Sequence, residues 1–185
     1  MQQVGKSYSD AELVSLFQSG QKEFAFNLIV KKYQQRLYWH IRKLVISHDD
    51  TDDCIQNAFV NVWKSLDGFR SDSQLFTWLY RIATNEALNH LKQQKRRTLV
   101  PMEGKDYNLS ETLMADEYLN ADKAQQKLQY ALLQLPEKQR VVFNLKYFEE
   151  MKYEDMALIL DTSVGALKAS YHHAVKKIEN LLDDD

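Results

Sequence analysis

The chain has 185 residues, 44% of them apolar, which is enough for one domain or two small ones with real cores. Its single cysteine, Cys54, excludes an internal disulfide framework, no apolar run approaches the roughly 20 residues of a membrane span, and the N-terminus has no signal-peptide core. A net charge of −2 excludes a uniformly basic nucleic-acid coat, and the expectation is a cytoplasmic protein with no membrane insertion.

Only 2 prolines and 5 glycines interrupt long segments of 3.6-residue periodicity, which predicts an all-α fold. Ser9 with Glu12 forms a capping box for a short helix ending at Gly20. A longer helix is expected over residues 23–45, where Phe24, Leu28, Tyr33, Leu37, Ile41 and Leu44 fall near helical spacing. In the following HDDTDDCIQNAFVNVWKSL, Asp49 or Asp50 serves as N-cap, and Asp52 and Asp53 complement the positive end of the helix dipole. Capping accounts for these aspartates without a metal, because they lack the loop spacing calcium requires. Neither His40 nor His48 has partners at ligand spacing, so no metal and no cofactor is expected. Ile55, Ala58, Phe59, Val62, Trp63 and Leu66 share the face expected to be buried, and Asp53, Gln56, Asn57 and Lys64 point outward. Residues 66–74 form a loop broken at Gly68, with Ser71 or Ser73 available to cap the next helix.

The next stretch, residues 71–97, reads SDSQLFTWLYRIATNEALNHLKQQKRR. As a helix it puts Phe76, Leu79, Tyr80, Ala83, Ala87 and Leu91 on one face. Opposite lie Arg81, Asn85, Asn89, Lys92 and Arg96, with Trp78 beside them. Cations to neutralise phosphates, amides to bond base edges and a ring to stack on an unpaired base suit a nucleic-acid strand. An amphipathic core helix with a solvated basic end fits the same pattern.

After Arg97 the periodicity dissolves. Residues 98–120, with Pro101, Gly104 and scattered acids, read as a flexible linker between a domain over 1–97 and another over 121–185. The second block opens with a helix to about Leu135, and Pro136 starts the next. Met156, Ala157 and Leu160 line a short helix. Asp161 and Thr162 make a tight turn in which Asp161 tolerates the left-handed conformation. Ser163 then caps a longer helix with Leu167, Tyr171, Ala174 and Ile178 inward. This is the spacing of a helix-turn-helix, although two crossed structural helices share it. Its second helix presents Gly165, Ala166, Lys168, Ala169 and His172, with Lys176 and Lys177 toward phosphates. Charge is distributed to match: residues 1–97 are net +4, residues 98–121 net −4 and residues 122–185 net −2, with cations late in each half.

These ordered segments resemble the extracytoplasmic-function sigma factors of bacterial RNA polymerase. The run Asp52-Asp53-Cys54-Ile55-Gln56-Asn57-Ala58-Phe59 is similar to the family segment that docks on a coiled coil of the polymerase β′ subunit. Phe69-Arg70-Ser71-Asp72-Ser73, then Phe76-Thr77-Trp78-Leu79-Tyr80-Arg81-Ile82-Ala83 with Asn85, resemble its promoter-melting and −10-reading segment. Leu135-Pro136-Glu137-Lys138-Gln139-Arg140 and residues 153–177 resemble its −35-reading domain. Two domains and a linker, without an extra N-terminal segment or a third domain, is that subfamily's layout. The chain departs from the family pattern at Asn57, where an acid is common, at Ser170, His173 and Val175, where arginines are common, and at Asp161, where the turn usually has glycine.

The resemblance implies a non-enzymatic factor that binds core polymerase through its β′ coiled coil and β subunit, reads promoter DNA and is held by an anti-sigma protein. No small-molecule substrate is implied. It implies docking by Asp53, Gln56, Asn57 and Lys64, and −10 reading by Phe69, Arg70, Ser71, Asp72, Trp78, Arg81, Asn85, Asn89, Lys92, Arg96 and Arg97, with Lys95 also toward phosphates. It implies −35 reading by Ser163, Gly165, Ala166, Lys168, Ala169, His172, Lys176 and Lys177. The rival reading is a helix-turn-helix regulator that binds operator DNA without polymerase, usually as a dimer on two half-sites.

Overall fold

The computed structural model describes residues 7–98 and 123–183, and the expected linker over 98–120 lies, but for Thr98, outside the described residues. Helix α1 spans Asp10–Gln18, and its capping box is complete: the Glu12 amide donates to Ser9 Oγ at 3.3 Å, and the Ser9 amide to Glu12 Oε2 at 2.8 Å. It buries Leu13, Val14 and Phe17 against α2, Lys22–Val45. Helix α2 stops at Ile46, a buried β-branched residue with φ 66, and the chain reverses there into α3, His48–Ser65.

The cap of α3 differs from the sequence expectation. Ser47, in extended conformation, accepts from the Asp50 amide, and Asp49 and Asp50 lie inside the first turn. The reversal at Ile46 sets Ser47 in cap geometry. The Asp50 carboxylate is thereby released to meet His90 at 3.2 Å and accept from Gln94 at 3.0 Å. A 3-10 turn, Leu66–Gly68, leads to the loop before α4, Leu75–Thr98. Gln18 Nε2 donates to the carbonyls of Leu66, Asp67 and Phe69 at 3.4, 3.3 and 3.0 Å, tying that loop to α1.

The second domain contains α5 (Lys123–Leu133), α6 (Glu137–Phe143), a π-turn (Asn144–Phe148), α7 (Tyr153–Leu160) and α8 (Val164–Asp183). Ala131, Leu132, Leu135, Phe143, Ala174 and Ile178 form one cluster of its core. Asp161 takes the left-handed conformation at φ 49, ψ 51, as the turn requires. Ser163 Oγ accepts from the Ala166 amide at 3.2 Å and caps α8.

The fold is helical throughout the described residues, in the two domains that the sequence leads one to expect. They are not apart. Helix α7 packs on α4, the π-turn touches α2, and Ile46 seats Tyr130 and Leu133 of α5. Val141, Leu145, Met151, Met156, Ile159 and Leu167 join one apolar cluster with Leu79, Tyr80 and Ala83 of the first domain.

Candidate nucleic-acid interface and docking groove

Helix α4 has the two faces its periodicity predicts. Leu79, Tyr80, Ala83, Ala87 and Leu91 are buried and Phe76 half-buried, while Arg81, Asn85, Asn89, Lys92 and Arg96 are exposed. The Arg97 side chain lies outside the described residues. Leu75, Thr77 and Thr84 are buried as well, because α2 and α7 close on this helix from further sides. Thr84 bonds His40 Nε2 at 2.8 Å, and burial with the nearby Lys43 charge pushes the His40 pKa down to about 3, so the ring is neutral.

Two residues of this region behave differently from expectation. Trp78 is half-buried, its ring 5.0 Å from that of Phe69, so it belongs to the rim of the core as well as to the polar stripe. That pair closes the end of the 69–74 loop, leaving Arg70, Ser71 and Asp72 exposed, Ser71 with φ 59. Lys95 pairs with Glu137 of α6 at 2.8 Å, so its charge is already engaged across the domain boundary.

On α8 the exposed positions include Gly165, Ala166, Lys168, Ala169, His172 and Lys176, and Ser163 is exposed ahead of it. No other part of the protein packs against Gly165: the space where a side chain would begin there is open. Lys168 lies 5.7 Å from the Tyr153 ring centroid, which holds its ammonium beside the short helix. Lys177, expected to face phosphates, donates to the Gln134 carbonyl at 2.8 Å and helps hold α8 to the end of α5.

A third surface was not visible as such in the sequence. An open groove of about 950 Å³ runs between α2 and α3. Phe26, Val30 and Tyr38 line one wall, and Ile55, Phe59, Val60 and Trp63 the other. Asn27, Gln34, Gln35 and Gln56 supply amides, and Asp52 is the one charged lining residue. Ile55, Phe59 and Trp63 were expected in the core. Ala58, Val62 and Leu66 are buried as expected, joined by Thr51 and Cys54, but Ile55 and Phe59 are only half-buried, and Trp63 remains 38% and Val60 49% exposed. Positions 55, 59 and 63 lie on the flank of α3, where Phe26 of α2 meets Phe59 and Trp63 edge-on (ring centroids 6.1 and 5.1 Å) without sealing them from solvent. Of the four residues expected to dock a partner, Gln56 lines this groove. Asp53, Asn57 and Lys64 are exposed outside its lining. Burial, then the charges of Asp50, Glu86 and Asp53, push the Cys54 thiol up to about 12, so it is packing and not a nucleophile.

Sequence-family comparison matches residues 29–97 to Sigma-70 region 2 and residues 125–178 to Sigma-70 region 4. The RNA polymerase sigma-H factor of Pseudomonas aeruginosa is 33% identical over 182 residues, covering 94% of this chain and 93% of that one. The chain belongs to the extracytoplasmic-function sigma factors. The sigma-E factor of Escherichia coli K12, described as an ECF RNA polymerase sigma factor, is 31% identical over 185 residues with 96% of each chain covered. Among solved structures, CnrH in complex with the cytosolic domain of CnrY is similar over 95% of this chain and 98% of its own, with a TM-score of 0.70 and 25% identity. The sigma factor RpoE of Bartonella quintana, solved with NepR, shares the fold at a TM-score of 0.68, covering 86% of this chain and 98% of its own.

In this sigma factor, region 2 therefore takes in most of α2 with α3 and α4, and region 4 takes in nearly all of α5 through α8. Matches in both regions, in order, favour a polymerase-associated initiation factor over a free-standing operator-binding regulator. Among the described residues no group of three His, Cys, Asp or Glu is placed to hold a metal, and no helix is long and apolar enough to cross a membrane.

Proposed function

We propose that this sigma factor docks on core RNA polymerase through the α2–α3 groove and reads promoter DNA on two other faces. An amphipathic helix of the polymerase lays its apolar side on Val60, Phe59 and Trp63, while Gln56 and Asp52 bond its polar edge. Asp53, Asn57 and Lys64 flank that contact. The exposed α4 stripe (Arg81, Asn85, Asn89, Lys92 and Arg96) follows the opened −10 strand, and Arg97 is proposed as a further −10 contact. The loop with Phe69, Arg70, Ser71 and Asp72, backed by Trp78, receives a base removed from the stack, which costs a few kcal/mol unless a pocket accepts it. Residues Ser163, Gly165, Ala166, Lys168, Ala169 and His172 face the −35 major groove, with Lys176 on phosphate and Lys177 supporting the helix.

The observation that carries this reading is the separation of faces. The proposed DNA contacts on α4 and α8 are exposed, apart from the half-buried Trp78, on helices whose opposite sides form the core, and the groove occupies a different side of the first domain. The work is binding rather than catalysis, carried out in the cytoplasm, and a protein inhibitor acts by covering the groove or the DNA-reading faces. Run-off transcription with purified core polymerase and genomic promoter fragments tests it. Start-site-specific transcripts that depend on this chain are expected, and DNA binding of equal specificity without core polymerase would refute the proposal.

A further inference from the structure

The loop between α3 and α4 is held at its stem by a side chain from a different helix. Gln18 is the last residue of α1, and its single amide reaches the carbonyls of Leu66, Asp67 and Phe69, most closely that of Phe69 at 3.0 Å. Carbonyls at a helix end run short of partners, and here one donor from outside serves three of them. A second tie runs beside it, from Lys22 Nζ at the start of α2 to Asp67 Oδ2 at 2.5 Å. Phe69 is gripped through its ring as well, by Trp78.

Gln18 can hold the loop because α1 is itself fixed. Its neighbour Phe17 is fully buried together with Leu13 and Val14. The helix stops directly after Gln18: the Ser19 amide donates to the Ser15 carbonyl at 2.9 Å and the Ser19 hydroxyl to the Leu16 carbonyl at 3.0 Å. Gly20 then reverses the chain at φ 101, a conformation that a Cβ would oppose. At the other end of the loop Leu75 is buried, and the Trp78 amide donates to the Gln74 carbonyl at 3.1 Å where α4 begins. Between these two fixed ends stand Arg70, Ser71 and Asp72, all exposed, with Ser71 at φ 59. A left-handed serine is unfavourable and persists only where its surroundings hold it.

We propose that Gln18 is a positioning residue for base selection: it fixes the stem of the 66–74 loop so that Arg70, Ser71 and Asp72 stand ready for one unpaired promoter base. The proposal rests on the base-capture role given to that loop above. Gln18 and Lys22 both precede the stretch matched to Sigma-70 region 2, residues 29–97, so the first helix adds to strand reading from outside it. All three Gln18 bonds go to main-chain carbonyls, so the amide sets the path of the loop and leaves its side chains to the base. A loop held at both ends has little freedom left to lose when a base enters, whereas a loose one must be ordered at binding and can shift to admit the wrong base.

The test uses the full chain assembled with core polymerase, a pool of single strands with a randomised hexamer between fixed ends, and sequencing of the bound strands. Asp72→Ala and Arg70→Ala mark the position that the loop reads. The parent should prefer one base there by roughly tenfold or more. Gln18→Met keeps the length and helix propensity and removes the N–H donors. It should cut that preference to about threefold or less while preferences at other positions, core binding and the melting temperature stay near the parent's. Gln18→Lys, which restores a donor of similar reach, should keep the preference. Lys22→Met should weaken it at the same position by a smaller factor, and it serves if Gln18→Met lowers the melting temperature. Unchanged preference in Gln18→Met overturns the positioning role, as does an even loss at every position, which a merely loosened fold would give. Equal losses in Gln18→Lys and Gln18→Met overturn hydrogen bonding as its basis. A parent without base preference, or no change in the Asp72 and Arg70 variants, refutes the base-capture reading and this inference with it.

Discussion

Val60→Asp separates docking from folding. Val60 is 49% exposed in the middle of α3, and its side chain lines the groove without joining the core. Valine and aspartate have similar helix propensity, so stability should change by less than about 0.5 kcal/mol. Binding should change far more. Fully burying a valine is worth about 1.5–3 kcal/mol, and half of its surface is still open, so loss of the apolar contact costs about 1 kcal/mol. A carboxylate set in a dry interface without a partner costs a further 1–3 kcal/mol or so. Together these predict core-polymerase affinity roughly 30- to 1,000-fold weaker, at about 1.4 kcal/mol per decade. Biolayer interferometry with immobilised core, beside a thermal melt, measures both quantities. An affinity within threefold of the parent would refute the groove as docking site. If Asn57→Ala or Lys64→Ala weakened binding instead, the contact would lie on the exposed face beyond the groove.

Leu79→Ala, in the apolar cluster shared by both domains, should cost about 2–5 kcal/mol and lose every activity together, whereas Asn85→Ala should keep the melting temperature and core binding but lose about 1–3 kcal/mol of −10 discrimination in permanganate footprinting. Wild-type selectivity in Asn85→Ala would return that face to solvated helix. Lys176→Ala should reduce DNA affinity evenly across sequences and flatten the salt slope by roughly one unit, while Lys177→Ala, whose ammonium is held by Gln134, should chiefly lower stability; a sequence-selective loss for Lys176→Ala would make it a base reader. His40 is buried neutral with its pKa depressed to about 3, so it costs nothing above the unfolded value near 6.5 and destabilises the fold as pH falls below it, by about 1.4 kcal/mol per unit or about 2 kcal/mol at pH 5. Denaturant melts at pH 7 and 5 should show that much less acid loss in His40→Gln, and equal losses in both proteins would refute the assignment.

Much of the first-order structure was legible in the residues themselves. The capping box at Ser9, the left-handed Asp161, the Ser163 cap and the two faces of α4 all follow from chemistry within one turn of helix. The ordered motifs from Asp52 to Lys177 carried the family resemblance for the same reason, since each is a local pattern at fixed spacing. Tertiary structure decided matters that depend on which distant segment covers a given face. Periodicity put Ile55, Phe59 and Trp63 beside Ala58 and Val62 but contained no sign that α2 would leave the first three open to a groove. Lys95 and Lys177 read as free cations until Glu137 and the Gln134 carbonyl came within reach, and Trp78 read as polar-face until Phe69 turned under it. The domain seam was the least legible, because Arg36, Lys43, Tyr80 and Glu149, which meet there, are scattered over more than a hundred residues. Helical spacing records which side chains share a face, while burial, pairing and closure depend on what the folded chain brings to that face.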